Sequence, residues 1–229
     1  MPNDTFSLDL STMNEKQKLF FKSKKRFVGY GGARGGGKSW SVDRKAILLA
    51  LRYGGIKMLL LRRTYKDLER NHARELSAIL QGFVTYNKQD KLFLFPNGSL
   101  LELGYCASES DVLQYQGQEY DIIFIDEATQ FTEYQFQTLT ACLRGANDFP
   151  KRIYVTCNPG GVGHEWVKRL FVSRRYKETE NPDDYEFISA TVFDNKVLME
   201  KDKGYVDMLN NLSDGLRQAW RDGNWDMLA

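Results

Sequence analysis

One stretch constrains this chain more than any other: Gly32–Ala33–Arg34–Gly35–Gly36–Gly37–Lys38–Ser39. It fits the spacing G-x-x-x-x-G-K-S, with the apolar run "RFVGY" before it and the helix-like "KSWSVDRKAILLALRYGG" after it. Glycines placed between a strand and a helix let the backbone curl so that successive N–H groups point into one cavity. The helix that follows adds the positive end of its dipole. The product is a cradle for phosphate. Lys38 is placed to reach the β- and γ-oxygens of a nucleotide, and Ser39 to offer its hydroxyl to Mg²⁺.

A second stretch supplies the other half of such a site. "YDIIFIDEA" is an apolar strand, buried on both faces and therefore central and parallel, that ends on Asp126 and Glu127. A carboxylate at that strand end can hold Mg²⁺ through water. The next one, Glu127, is placed to orient and deprotonate an attacking water. A later buried strand, "KRIYVTCNP", is halted by Pro159. The Asp–Glu pair with "TCNP" points to nucleotide hydrolases with a catalytic glutamate rather than to small signalling GTPases.

Strands and helices alternate along most of the chain, which predicts an α/β fold with a mostly parallel central sheet flanked by helices. We expect a P-loop NTPase of the additional-strand, catalytic-glutamate type over residues 1–175, and a small C-terminal lid subdomain over 176–229. "STMNEKQKLFF" opens a helix with Thr12 and Glu15 spaced as a capping box. "TYKDLERNHARELSAILQG" reads as one amphipathic helix, and "KLFLFPNGSLLELG" as a hairpin turning at Pro96–Asn97–Gly98. "TEYQFQTLTACLRG" reads as a helix closed by Arg144, with Gly145 past its end. No apolar run approaches the length of a membrane span, and the first fifteen residues do not resemble a signal peptide. Cys106, Cys142 and Cys157 fit neither a metal pattern nor a disulfide framework, which points to reduced thiols packed as small apolar groups in an intracellular protein. A formal net charge of +2 leaves no global field for nucleic acid, so any such contact must come from local patches.

Several stretches together resemble the large terminase subunits of tailed bacteriophages, the motors that pump DNA into procapsids. They are "NEKQKLFF" with Gln17, "GGARGGGKS", "YQGQEYDIIFIDEA", "LRG" at 143–145, "TCNPGGVGHEWVKRLF" and the closing "FDN…LRQAWRDGNWD". The resemblance implies an ATPase with ATP as substrate and Mg²⁺ as cofactor. It implies that Gln17 reads the adenine edge, that Arg34 folds over the γ-phosphate of its own subunit, and that Thr156 and Asn158 couple loss of that phosphate to motion. It implies double-stranded DNA, a portal protein, a small terminase subunit and a homo-oligomeric ring as partners. The place of action would be the host-cell cytoplasm, with transient docking on the procapsid and no membrane.

Two features depart from the family pattern. Some members carry a trans-acting arginine where this chain has Gln116, and a neutral amide cannot replace that charge. Arg144 is the best remaining candidate for an arginine supplied to a neighbour. Family members also continue past "GNWD" into a nuclease domain. The chain therefore reads as an ATPase module expected not to cut DNA, with Asp183 and Asp184 as a solvated loop pair. Two basic runs are candidate DNA contacts: Lys22, Lys24, Lys25 and Arg26, and then Lys168, Arg169, Arg174, Arg175 and Lys177. His164 reads as a loop hydrogen-bonder. A helicase-like or other nucleic-acid-stimulated ATPase is the alternative; a non-enzymatic nucleotide-binding adaptor would have no use for Glu127.

Overall fold

Short blocks of β-branched and aromatic residues bounded by glycine or proline suit a buried pleated surface, and each such block here becomes a strand. The computed structural model describes residues 6–33 and 37–226. In chain order the helix α1 (Glu15–Lys22) leads to β1 (Phe27–Gly32), α2 (Lys38–Arg52) and β2 (Lys57–Arg62). There follow α3 (Tyr65–Leu68), a π-helical turn (Glu69–Ala73) and α4 (Arg74–Leu80), then β3 (Thr85–Asn87), β4 (Leu92–Leu94) and β5 (Leu100–Tyr105). The central strand β6 (Ile122–Ile125) precedes α5 (Glu133–Thr140) and β7 (Arg152–Cys157). Then come α6 (His164–Val167), which runs into a second π-helical turn (Lys168–Val172), and β8 (Tyr185–Ala190). Three short helices complete the described chain: α7 (Lys196–Lys201), α8 (Gly204–Asn210) and α9 (Asp214–Trp220).

Among the described residues the strands form one sheet in the order β3-β4-β5-β2-β6-β7-β1-β8. All neighbours from β5 to β8 pair in parallel, whereas the β3–β4 and β4–β5 pairs are antiparallel, so β4 alone runs against the others. Strand β7 lies between the strand that enters the glycine loop and the strand that ends on Asp126, so an extra strand separates the two halves of the site. Side chains alternate across the sheet with the period of two that strands impose. Val28, Tyr30, Leu60, Phe124 and Tyr154 pack on the face carrying α1 and α2, whereas Phe27, Leu59, Leu61, Ile123, Ile125, Ile153 and Val155 pack on the face carrying Phe136, Leu139 and Trp166. Helices cover both faces, as a parallel sheet requires. The result is a P-loop NTPase fold.

Four local expectations change. The capping box of α1 is made by Asn14 and Gln17, not Thr12 and Glu15: the Asn14 side chain accepts from the Gln17 amide, and the Gln17 side chain accepts from the Asn14 amide. The helix expected over 64–82 is interrupted by its π-helical turn. Helix α5 stops at Thr140, so Arg144 does not close it. The chain leaves the helix because its backbone is taken up by Tyr120, whose N–H donates to Cys142 O while the Arg144 N–H donates to Tyr120 O. Lastly, β8 pairs along its whole length with β1, so the sheet continues past the boundary expected at 175/176. The hairpin at Pro96–Gly98 forms as expected. All three cysteines are buried and free, and burial pushes Cys106 and Cys157 up to about 12. Among the described residues no helix is long and apolar enough to cross a membrane.

Candidate functional site

The carboxyl ends of β1, β6 and β7 meet at one edge of the sheet, the place where ligands bind in parallel α/β folds. Gly37 caps α2 in the left-handed region at φ 78°, where a side chain is strained and where a Cβ would also sit 2.6 Å from Gln17 Nε2. Lys38 then starts the helix, is buried, and donates from Nζ to the carbonyl of Ala33. Gly32 and Ala33 are held from two sides. The Ala33 N–H donates to Ala190 O at the end of β8, and Gly223, at φ 70°, lies against Gly32 so closely that a Cβ there would meet its backbone at 2.9 Å. This packing accounts for the glycine in the closing "GNWD". Arg34, Gly35 and Gly36 lie outside the described residues.

Asp126 is the hub. Its Oδ2 accepts from the Ser39 hydroxyl at 3.0 Å and from Arg62 at 3.0 Å, and lies 2.7 Å from His72 Nε2; its Oδ1 accepts from Thr156. Burial alone would raise this carboxyl, but His72 first, then Arg62 and Thr156, hold it well below the usual carboxylate range. Glu127 follows in the left-handed region at φ 56°, a conformation uncommon for a residue with a side chain. Its N–H donates to Thr156 Oγ1 at 2.9 Å, so one hydroxyl fixes both carboxylate residues. The Glu127 side chain remains about one-third exposed and stands 3.9 Å from Arg62. Asn158 lines the same cavity with a buried Oδ1 that has no partner among the described residues. The cavity is about 500 Å³ and is bounded by Gly37, Lys38, Ser39, Trp40, Glu127, Asn158 and Asn195. A second cavity of about 270 Å³ shares Gly37, Trp40 and Asn195 and adds Gln17, Val197 and Leu198.

The structure thus brings Gln17, Gly32, Ala33, Gly37, Lys38, Ser39, Asp126, Glu127, Thr156 and Asn158 to one place. It does not bring Arg144 there. Arg144 is exposed, beside the start of β6, with Nε 3.8 Å from Glu119. Gln17 is more occupied than its sequence suggested, since its amide nitrogen donates to Gly37 O at 3.1 Å while its oxygen serves the cap. His164 is a buried connector: Nδ1 accepts from the Gly160 N–H and Nε2 faces Trp225 O at 2.9 Å. Asp183 and Asp184 lie on a short 3₁₀ turn, the first exposed and the second half-buried.

Sequence reasoning missed Asp43, Arg62 and His72. His72 Nδ1 lies 2.5 Å from Asp43 and Nε2 2.7 Å from Asp126. Both ring nitrogens face acceptors, so the ring carries two protons. Burial pushes its pKa down, but Asp43 and then Asp126 overcome this and raise it to about 10. Burial raises Asp43 to about 6 against the pull of His72, so at pH 7 both are charged. No motif spacing marks this trio; the only signal was a histidine inside a stretch read as amphipathic helix.

A pH dependence follows. Because the folded value of His72 lies above its unfolded value near 6.5, the stability it contributes is complete below pH 6.5 and is lost as pH rises toward 10. Between pH 7 and 8 this group therefore makes stability fall as pH rises. Asp43 acts below about pH 6, and Lys45, lowered to about 8 chiefly by burial, opposes the trend above pH 8. Denaturant melts of the wild type and His72→Gln should diverge in slope between pH 7 and 8; parallel curves there would contradict the assignment.

The family model described as phage terminase large subunit matches residues 23–223. The chain belongs to that family. Among solved structures, this terminase chain is similar to the large terminase of a thermophilic bacteriophage, with a TM-score of 0.75 and 19% identity over 93% of this chain and 53% of that one. The same phage protein in complex with ATP-γ-S gives a TM-score of 0.72 at 18% identity, covering 93% and 52%. The ATPase domain of the large terminase of Thermus phage P74-26 gives 0.64 at 14% identity, covering 93% and 94%. The chain therefore spans about half the length of the first of these proteins. At such identities the likeness is one of fold. No curated protein matches the chain.

Proposed function

We propose that this terminase chain hydrolyses ATP with Mg²⁺ and that hydrolysis drives double-stranded DNA into a viral procapsid. The observation that carries the reading is the convergence of Lys38, Ser39 and Glu127 on one open cavity, with Asp126 bonded to Ser39 at its wall. The related terminase in complex with ATP-γ-S supports the same reading. Lys38 neutralises β/γ-phosphate charge, and Arg34 does so for the γ-phosphate from the same loop. Glu127 orients and deprotonates the attacking water. Asn158 turns an amide toward the γ-phosphate, and Thr156, bonded to both Asp126 and Glu127, passes its departure into β7. The aromatic and aliphatic slot between Trp40, Val197 and Leu198 receives the base, with Gln17 at its rim.

Ser39 and Asp126 fit Mg²⁺, because they are adjacent hard oxygen donors and this ion takes few protein ligands beside phosphate oxygens and water. When bound it neutralises charge developing on the phosphates. A portal protein, a small terminase subunit and a homo-oligomeric ring docked on the procapsid in the host-cell cytoplasm complete this reading.

Of the two basic runs, the first is the better DNA contact. Lys22 and Lys24 share a cavity of about 440 Å³ with Lys45, Arg52 and Arg152, and among the described residues no carboxylate lines it. The second run is largely spent internally: Lys168 on Asp226, Arg169 on Glu180 and Glu133, Arg174 on the carbonyls of Pro182 and Tyr185. The test is phosphate release by the purified chain in Mg²⁺ with and without linear duplex DNA. Release should need Mg²⁺ and rise with DNA, and Lys24→Ala should lower the salt slope of DNA binding by about 1. Absence of release under all conditions would contradict the proposal.

A further inference from the structure

His72 stands where three elements of the site meet. Its ring is fully buried. One nitrogen faces Asp43 on α2, four residues after Ser39 and so about one turn along the helix that Lys38 begins. The other faces Asp126 at the end of β6. The ring itself arrives from the π-helical turn Glu69–Ala73. A π-turn carries an extra residue, which re-aims the side chains around it and is common at functional sites. Here it coincides with the one buried polar residue of a stretch whose neighbours Arg70, Asn71, Arg74 and Glu75 are exposed.

Arg62, at the end of β2, donates to the same Asp126 oxygen. A buried charged cluster is a poor device for stability alone, since apolar residues of similar volume serve as well or better. What it supplies here is geometry. Four donors converge on one carboxylate, from α2, β2, the π-turn and β7, and leave it little rotational freedom.

We propose that His72, with Asp43 behind it, is a positioning residue of the nucleotide site, bracing the helix that starts at Lys38 against the strand that ends at Asp126. The brace fixes the carboxylate that the proposed function gives to the Mg²⁺–nucleotide complex, and it rests on that assignment. Residues one step behind a metal ligand typically change metal affinity or activity by about 10–100-fold when replaced.

The measurement is equilibrium binding of ATP-γ-S to the chain, in Mg²⁺ and in EDTA, for the wild type, His72→Gln and Asp43→Asn. The ratio of the two dissociation constants reads what the metal adds to binding. In His72→Gln the ratio should fall by about 10-fold or more, with affinity in EDTA unchanged. Asp43→Asn keeps the size and an acceptor for Nδ1 but removes the charge, and should shift the ratio the same way by less. If His72→Gln does not fold, Asp43→Asn decides. A role confined to holding the fold lowers the melting temperature and leaves the ratio intact, and that result in every folded variant overturns the brace. A wild type that binds no nucleotide refutes the ATPase reading itself, and the brace with it.

Discussion

Glu127→Gln should bind Mg²⁺–ATP as tightly as the wild type and lose turnover by about 10²–10⁴-fold. The amide has the shape of the carboxylate but cannot take a proton from water. Its backbone position should survive, because the Glu127 N–H bond to Thr156 and the hold on Asp126 do not involve the side chain. The loss should therefore appear in kcat with the nucleotide dissociation constant unchanged. Lys38→Ala is the contrasting control. It removes the cation that meets the β/γ-phosphates, so both affinity and turnover should fall. A Glu127→Gln protein that turns over at the wild-type rate would take the base assignment away.

The second large effect concerns Arg144, which we propose is supplied to the nucleotide of a neighbouring subunit. Arg144 is exposed and only loosely paired with Glu119 at 3.8 Å, so its guanidinium is free to engage a neighbour. It lies beside Tyr120, at the opposite end of β6 from Asp126. Six residues of extended chain span about 20 Å, too far for Arg144 to serve its own site. A finger given in trans contributes roughly 10³–10⁵ in rate. The monomer should therefore be a slow ATPase that accelerates on assembly, and Arg144→Ala should abolish the acceleration while leaving folding and nucleotide affinity intact. Mixing Arg144→Ala with Glu127→Gln subunits is the check. In a mixed ring the second mutant offers its Arg144 to the intact site of the first, and activity should return. A proven mixed ring as inactive as either parent would exclude Arg144.

The site was legible in sequence wherever its chemistry is local. The glycine spacing before Lys38 and the apolar strand before Asp126 carry their own geometry, because consecutive residues of one loop or one strand end place those groups. The strand that holds Thr156 was legible from its apolar run, but Thr156 itself entered only through the family resemblance. His72, Asp43 and Arg62 were not, because their meeting is tertiary. They come from separate elements 10 to 29 residues apart, and the π-turn that re-aims His72 leaves no pattern that helical periodicity detects. The α1 cap misread Thr12 for Asn14 because both have a polar partner three residues on, and only the backbone decides between them. Arg144 was misplaced for a related reason: propensity extends α5 through "ACLR", but pairing of that segment with Tyr120 wins over the helix. β8 was assigned to a separate subdomain because its surroundings are loop-rich, yet a six-residue partner strand in β1 draws it into the sheet.

The central claim is that the cavity between Lys38 and Glu127 cleaves ATP. Single-turnover quench of the isolated chain, with protein in excess over labelled ATP and Mg²⁺ present, tests it most directly. The wild type should convert its bound ATP to ADP and phosphate, Glu127→Gln should release intact ATP on quenching, and Lys38→Ala should retain almost none. Cleavage at equal rates by all three proteins would show that the chemistry takes place elsewhere and would contradict the account.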